Sequence, residues 1–291
     1  MIMNSMMRFG KRTYVMGIIN MSPESFSGDG FIDHESAISM AKTYIDQGAD
    51  IIDVGGQSTR PRYSAEVESL VSGVDKPGDS YEIVSEEIEI ERVVAVVEEV
   101  SKLGVPVSID TFKPNVAKAA ILAGATIIND VTGLKFDIQM AHIASEYSSY
   151  IVLMHNQATT KYENLIENVA DSLNESVSKA ISAGVRRDKI IVDPGFGFGK
   201  TVTHNLDLLN NLDVLKSKLG YPMLLGTSRK STIGKVLNLP EGQRVEGTAA
   251  TMAIAISQGV DIIRVHDVEY MVRVAKMSDA IVRDSSGNEI N

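Results

Sequence analysis

The sequence contains no cysteine and no tryptophan, and aromatic residues make up only 5% of its 291 positions. A chain without cysteine has no disulfide, no thiolate metal site and no cysteine nucleophile. Long apolar runs are absent too: no stretch approaches the ~18 apolar residues of a membrane span, and Met1 to Gly10 lacks the apolar core of a signal peptide. We therefore expect an unprocessed, soluble protein, most simply cytoplasmic, with no membrane partner.

Basic residues are also in short supply, because 28 Lys and Arg stand against 38 Asp and Glu and give a formal net charge of -10. Nucleic-acid-binding proteins favour a basic face that neutralises phosphates. We therefore expect small-molecule substrates and no nucleic acid. Apolar residues, by contrast, reach 44% of the chain, which suffices for a full core at this length. We interpret residues 1–291 as a single domain.

Short apolar, strand-like runs recur along the chain, and each leads into polar residues and then a helical pattern. Eight strand–helix units predict an α/β protein with the (β/α)8 TIM-barrel fold, in which active sites gather at the carboxyl ends of the strands. The polar residues that follow the runs should therefore converge on one mouth. The runs span residues 14–19, 51–54, 107–109, 127–128, 150–154, 190–192, 223–225 and 262–263.

Between the runs, helical periodicity extends over residues 35–47, 85–103, 115–123, 137–147, 164–183, 246–258 and 268–281. Glycines precede the next strand at positions 48, 104, 124, 184, 220 and 259, and we interpret them as left-handed helix ends with a structural role. Residues 62–85 break this rhythm with Gly73, Pro77 and Gly78. They predict a long excursion over the mouth or side of the barrel.

The loops after the first two runs carry groups suited to an anion. Residues 20–30 combine serine hydroxyls with two glycines, as a phosphate-binding lid would, although an ordinary surface loop has the same composition. Residues 55–61 add glycines for close backbone approach, two hydroxyls and Arg60, whose planar guanidinium can clamp an anion. Two such loops after consecutive strands predict a phosphate site at the mouth.

Polar residues at three further strand ends suit a flat heterocycle. Asp110, Asn129 and Asp193 offer acceptors and an amide to an amino-pyrimidinone edge, although each could instead satisfy a neighbouring backbone amide. Asp193 opens the segment 193–200, whose glycines allow close backbone approach and whose phenylalanines can wall a cavity. The alternative for that segment is a glycine-rich turn with aromatic side chains in the core.

Cationic side chains follow the last two runs. Arg264 and His266 alternate onto the same side of a strand and can form a cationic pair for a phosphate. Residues 228–231 open a helix near Ser231, where many barrels bind anions; ordinary solvated basic residues are the alternative. We interpret His155 as a hydrogen-bonded core residue. The remaining histidines, at positions 34, 142 and 204, are interpreted as structural.

Taken in order, these motifs resemble the dihydropteroate synthase family. The resemblance is carried by residues 16–20, 23–27, 53–61, 108–111, 128–130, 193–200, 226–231, 246–250 and 264–267. It implies a TIM barrel, usually a homodimer, that uses Mg²⁺ and is a sulfonamide target. Its reaction condenses 6-hydroxymethyl-7,8-dihydropterin pyrophosphate with 4-aminobenzoate, giving 7,8-dihydropteroate and pyrophosphate on the route to folate.

The resemblance also implies roles for individual residues. Pterin would be held by Asp110, Asn129, Asp193 and Lys230, whereas pyrophosphate would be held by Asn20, Arg264 and His266, with Asn20 also binding Mg²⁺. Thr59 and Arg60 would close over the site, and Pro61, Phe198 and Ser231 would shape the aminobenzoate subsite. Met154 and Gly226, at two further strand ends, complete the substrate-binding set. Asp110, Asp193, Lys230 and Arg264 would be catalytic, without a protein nucleophile.

The chain departs from the family pattern in its two mouth loops. Gln57 stands where a glutamate is expected, Asp29 lies one place later than expected, and residues 62–85 form a longer segment than expected. Two alternatives remain open at this point. One is a pterin-binding methyltransferase domain of the same fold, which would not need Arg264 and His266, and the other is a non-catalytic pterin-binding protein.

Overall fold

The computed structural model describes residues 7–22, 33–57 and 84–283. Within these ranges, eight strands pair in parallel in the order β6-β5-β4-β3-β2-β1-β8-β7. A bridge between Val192 and Met223 joins β6 to β7 and closes the sheet into a barrel. The predicted TIM barrel is confirmed. Its strands are β1 Tyr14–Asn20, β2 Ile51–Gly55, β3 Val107–Asp110, β4 Ile127–Asp130, β5 Tyr150–Met154, β6 Ile190–Asp193, β7 Leu224–Leu225 and β8 Ile262–Val265.

Ten α-helices of the described residues surround the barrel, and all seven predicted helical segments are among them. The six glycines predicted to end helices all have positive φ, between 67° and 115°. No helix in the described ranges is long and apolar enough to span a membrane. The helices are α1 His34–Asp46, α2 Glu86–Ser101, α3 Pro114–Leu122, α4 Gln139–Glu146, α5 Leu165–Ser182, α6 Val202–Leu209, α7 Leu212–Leu219, α8 Ser231–Leu237, α9 Val245–Ser257 and α10 Val268–Val282.

Three helices, α6, α7 and α8, were not among the segments with predicted periodicity, although a helix start near Ser231 was predicted for α8. The patterns of α6 and α7 were missed altogether. Each has only 8 residues, as α4 has, but the predicted segment of α4 extended over residues 137–147 and so reached the window over which a 3.6-residue period can be recognised. The start of α6 is a capping box in which Thr201 pairs with His204. A histidine replaces the usual glutamate or glutamine at this position, so the helix start also lacks its usual sequence signal.

The barrel interior is layered because side chains alternate between the two faces of a strand. Near the amino ends of the strands the interior is apolar and fully buried, with Ile51, Ile127, Ile191 and Ile262 in one cluster. The residues two places further along these strands are polar or charged: Asp53, Asn129, Asp193 and Arg264. The strands therefore carry an apolar floor and a polar mouth on the same inner face.

Candidate active site

A cavity of ≈ 260 Å³ lies at the carboxyl ends of the barrel strands. Every predicted site residue within the described ranges lines this cavity. These residues are Asn20, Asp110, Asn129, Met154, Asp193, Phe198, Gly226, Lys230, Ser231, Arg264 and His266. Thr59, Arg60 and Pro61 lie outside the described residues, as do Asp29 and residues 62–83 of the predicted excursion. Strand alternation accounts for this convergence, because each strand-end residue continues the inner face of its strand.

Arg264 reaches from β8 across β1 to two carboxylates. Its Nε donates to Asp53 Oδ2 at 2.6 Å, and its Nη2 donates to Asp110 Oδ2 at 2.7 Å. Asp53 is fully buried and was not among the predicted site residues. Its sequence signals are its place at the start of motif 53–61 and a charge within an apolar run, at a position that alternation turns into the barrel. The structure thus adds an acidic partner to the predicted cation.

The Asp110 carboxyl group has a raised pKa and one oxygen atom, Oδ1, that accepts no hydrogen bond from the described residues. Burial raises the pKa of Asp110 to about 7 despite the opposing charge of Arg264, and the Asp53 carboxylate adds to the rise. Within the described part of the chain, the buried Oδ1 atoms of Asp53 and Asp110 accept no hydrogen bond. A buried acceptor without a donor is costly. Asp110 lines the cavity, so a ligand bound there lies beside this carboxylate.

Asp193 and Lys230 face the cavity from the opposite side. Asp193 Oδ1 accepts from Gly195 N at 2.7 Å, so this carboxylate does satisfy a backbone amide while it also lines the cavity. Burial raises its pKa, against the charge of Lys230. Lys230 Nζ donates to Phe196 O at 2.6 Å and lies 4.7 Å from the centre of the Phe198 ring. Burial lowers the pKa of Lys230 to about 8, against the effect of Asp193.

The glycines of segment 193–200 are required by its path. Gly195 has φ 70°, and a Cβ there would lie 1.8 Å from His155 O. Gly199 has φ 58°, and a Cβ there would lie 2.2 Å from Gln157 O. Both positions exclude other residues on conformation and on space. The segment therefore packs directly onto the backbone after β5, and Phe198 joins Val131 and Met154 in an apolar wall of the cavity.

Hydrogen bonds join the loop after β7 to the residues that follow β8. His266 Nδ1 lies 3.0 Å from Ser228 Oγ, which also accepts from His266 N at 3.2 Å. The Arg229 guanidinium donates to Asp267, with Nη2 to Oδ1 at 2.7 Å. Ser231 is the first residue of α8, so the predicted helix start is confirmed. Glu241 and Arg244 also line the cavity; they follow no strand, and the sequence analysis missed them.

Gln57 is the last described residue before residues 58–83, and its side chain has a defined partner. Lys113 Nζ donates to Gln57 Oε1 at 2.8 Å, to Val84 O and to Glu89 Oε2 at 2.6 Å. Lys113 and Glu89 are both buried. A second carboxylate at position 57 would leave this cluster with an excess negative charge, whereas the amide accepts a hydrogen bond and keeps the pair neutral. The departure from the family pattern is therefore accommodated locally.

Comparison with known proteins identifies the relatives of this barrel. The sequence profile described as "Pterin binding enzyme" matches residues 16–71 and 71–266. The dihydropteroate synthase of Clostridium beijerinckii is 50% identical over 277 residues, covering 94% of this chain and 96% of the relative. The chain belongs to the dihydropteroate synthase family. As a member of that family it is a transferase of folate biosynthesis, and the main interpretation of the sequence is confirmed over its two alternatives.

Solved structures show the same relationship. A dihydropteroate synthase from Clostridium difficile, crystallised in the presence of pteroic acid, superposes with a TM-score of 0.85 at 45% identity, covering 96% of this chain and 100% of that chain. The Thermus thermophilus dihydropteroate synthase in complex with 6HMPPP has a TM-score of 0.78 at 36% identity, covering 94% and 95% of the two chains. These relatives share the fold at nearly full length.

Proposed function

We propose that this protein condenses 6-hydroxymethyl-7,8-dihydropterin pyrophosphate with 4-aminobenzoate to give 7,8-dihydropteroate and pyrophosphate. The observation that carries the proposal is the meeting of Asp110, Asn129 and Asp193 with Lys230 and Arg264 in one cavity. Family membership supports it, as do the relatives crystallised in the presence of pteroic acid and in complex with 6HMPPP. The three strand-end residues and the two cations have separate tasks in this reaction.

The pterin ring is the flat part of the substrate, and its amino-pyrimidinone edge donates hydrogen bonds. Asp110 Oδ1 is a buried acceptor without a donor within the described residues, and Asp193 and Asn129 line the same cavity. A ring that donates to these carboxylates would satisfy them, and a ligand without those donors would be rejected at a high cost. Lys230, whose Nζ lies 4.7 Å from the centre of the Phe198 ring, would contact the pterin ring from that side.

The pyrophosphate group needs positive charge at the mouth, where Arg264 and His266 line the cavity beside Asn20. We propose that Asn20 also binds Mg²⁺, because this ion is commonly held by one or two protein oxygens together with phosphate oxygens and water. The described residues contain no cluster of three His, Cys, Asp or Glu side chains suited to a metal. When bound, Mg²⁺ would neutralise charge that develops on the leaving pyrophosphate.

The chemistry follows from this arrangement. The bond between the pterin methylene carbon and the ester oxygen breaks, and its electron pair leaves with pyrophosphate. The ionised carboxylates of Asp110 and Asp193 stabilise the positive charge spread over the pterin ring. The aminobenzoate nitrogen then bonds to the methylene carbon and loses a proton to water. Phe198 and Ser231 shape the subsite for this second substrate, together with Pro61 outside the described residues.

A homodimer is the proposed assembly. Three exposed apolar side chains form one stripe along α10: Tyr270, Met277 and Ile281, which are 56%, 64% and 68% exposed. Ile254 on the neighbouring α9 is 49% exposed. Contiguous exposed apolar surface marks interaction sites. Sedimentation should give a dimer for the wild type and a monomer for Met277→Lys.

A cytoplasmic location is also proposed, and fractionation of the producing cells would test it.

Pyrophosphate release tests the proposed reaction. The purified chain should release pyrophosphate at a catalytic rate only when the pterin ester, 4-aminobenzoate and Mg²⁺ are all present. Omission of each component in turn provides the controls. Release that does not depend on 4-aminobenzoate would indicate hydrolysis of the ester, and binding of the pterin without any release would indicate a non-catalytic pterin-binding protein. Either result would overturn the proposal.

A further inference from the structure

Lys200 ends the glycine-rich segment 193–200 with a buried ammonium that does not line the cavity. Only 9% of the residue is exposed, and its Nζ has three acceptors around it. Gly195 O lies at 3.0 Å, Phe198 O at 3.2 Å and His155 Nδ1 at 2.9 Å. Burial lowers the pKa of Lys200 to about 7, against the charge of Asp193, and in its protonated form the amine has three donors. The three acceptors use all of them, and two of these acceptors are main-chain carbonyls of the segment itself.

His155 provides the third acceptor and links this ammonium to β6. The histidine is 2% exposed, and its backbone N donates to Asp193 O at 2.8 Å. Burial lowers the pKa of His155 well below its ordinary value, and the charge of Lys200 lowers it further. The imidazole is therefore neutral and accepts through Nδ1. Tyr162 joins the same group, because its hydroxyl donates to Gly199 O at 2.9 Å.

The two carbonyls that Lys200 binds belong to the residues that place the site. Gly195 N donates to Asp193 Oδ1 at 2.7 Å, so a shift of Gly195 would turn the carboxylate that faces the cavity. Phe198 is part of the apolar wall, 4.7 Å from Lys230 Nζ. One ammonium therefore contacts the segment at both points on which the cavity depends. An apolar side chain of similar length would fill the space without making either contact.

We infer that Lys200 is a positioning residue, which with His155 fixes segment 193–200 so that Asp193 and Phe198 keep their places in the substrate cavity. The inference rests on the proposed function in taking a dihydropterin and 4-aminobenzoate as the ligands. It assigns Lys200 no contact with either substrate. Its effect passes through Gly195 to the pterin subsite and through Phe198 to the aminobenzoate subsite.

The first test is Lys200→Met, with Lys189→Met as the matched control. Lys189 is another partly buried lysine, which lies 3.9 Å from the centre of the Tyr150 ring on the side of the barrel away from the cavity. Calorimetric titration should give a rise of roughly tenfold to a hundredfold in the Kd of 6-hydroxymethyl-7,8-dihydropterin for Lys200→Met, because loss of the hydrogen bond between the ligand and a displaced Asp193 carboxylate has an effect of this size. Lys189→Met should bind as the wild type does.

Inorganic pyrophosphate distinguishes positioning from general damage. Its predicted partners lie at the ends of β1 and β8, outside segment 193–200, so Lys200→Met should bind it with unchanged affinity. A folded Lys200→Met protein that binds pterin as tightly as the wild type would overturn the inference. Equal weakening for pterin and pyrophosphate would also overturn it, because a merely destabilised barrel would lose both.

A second pair of variants keeps the inference testable where Lys200→Met does not fold. Asn places an amide oxygen close to the position of Nδ1, so His155→Asn should retain pterin affinity, whereas His155→Leu should lose it by roughly tenfold or more. Equal affinities for these two variants would overturn the inference. All of these measurements are of binding. If the wild-type protein showed no turnover, the proposed function would be contradicted. The comparisons of binding between variants could still be interpreted.

Discussion

Replacement of Arg264 by methionine should destabilise the barrel and change the ionisation of its site. The substitution leaves Asp53 and Asp110 without the guanidinium that now binds both at 2.6 and 2.7 Å. Loss of one partner from a buried ion pair costs roughly 3–5 kcal/mol. For a chain of this size, roughly 2–4 °C of melting temperature is lost for each kcal/mol. We therefore expect a decrease on the order of 10 °C at pH 8.

The size of this loss should depend on pH in a definite direction. The pKa of Asp110 in the folded wild type is about 7, above its ordinary value. Below pH 7 the folded state therefore keeps a proton that the unfolded state has lost, and stability falls as pH rises towards 7. Without Arg264, whose charge lowers this pKa, the fall continues to higher pH. One extra bound proton changes stability by about 1.4 kcal/mol per pH unit. The difference between wild type and variant should thus grow from pH 6 to pH 8.

Differential scanning calorimetry at pH 6, 7 and 8 measures both effects, and Asp53→Asn in the Arg264→Met background provides the control. The double variant should regain part of the lost stability, because it removes one of the two unpaired carboxylates. A variant that melts like the wild type, or a difference that does not change with pH, would refute the coupling. Binding of the free pterin should weaken too at pH 7, because without the charge of Arg264 more of Asp110 is protonated.

The remaining predictions address other parts of the site. Asp193→Asn should raise the Kd for the dihydropterin about tenfold to more than a hundredfold, the loss of one charge-assisted hydrogen bond; calorimetric titration with unchanged affinity would remove Asp193 from the pterin subsite. Lys113→Met should cost roughly 3–5 kcal/mol in thermal unfolding, and Glu89→Gln in the same chain should recover part of it; wild-type stability would contradict this. The kcat/KM for the pterin ester should rise through about pH 7 as Asp110 ionises and fall above about pH 8 as Lys230 loses its proton, whereas a flat profile would exclude both roles. Sulfonamides should compete with 4-aminobenzoate in initial-rate measurements, and inhibition that 4-aminobenzoate does not relieve would reject the proposed subsite.

Much of the site could be predicted from the sequence because two local rules act together in a barrel. Strands in one sheet alternate their side chains, and all eight strands point their carboxyl ends at the same mouth. The residue two places after a buried apolar residue therefore lines the cavity, as Asn129 follows Ile127 and Asp193 follows Ile191. Predicting these cavity-lining positions required no knowledge of which strands are neighbours in the sheet.

Other features could not be predicted because they depend on contacts between distant segments. Asp53 and Arg264 are 211 residues apart, and nothing in either local pattern specifies their ion pair. Lys200 was noted as the end of a glycine-rich motif, but the position of its ammonium depends on His155 from another strand end. Glu241 and Arg244 line the cavity from the connection between α8 and α9, where no strand ends and alternation gives no information.

The most direct test of the account follows the atoms of the proposed reaction. The protein, with Mg²⁺, would be given the pterin ester labelled with ¹⁸O at the oxygen between carbon and phosphorus, and 4-aminobenzoate labelled with ¹⁵N. Mass spectrometry should find ¹⁸O in the released pyrophosphate and ¹⁵N in 7,8-dihydropteroate, because the carbon–oxygen bond breaks and a carbon–nitrogen bond forms. Retention of ¹⁸O on the pterin, or the absence of ¹⁵N-labelled dihydropteroate, would contradict the proposed function.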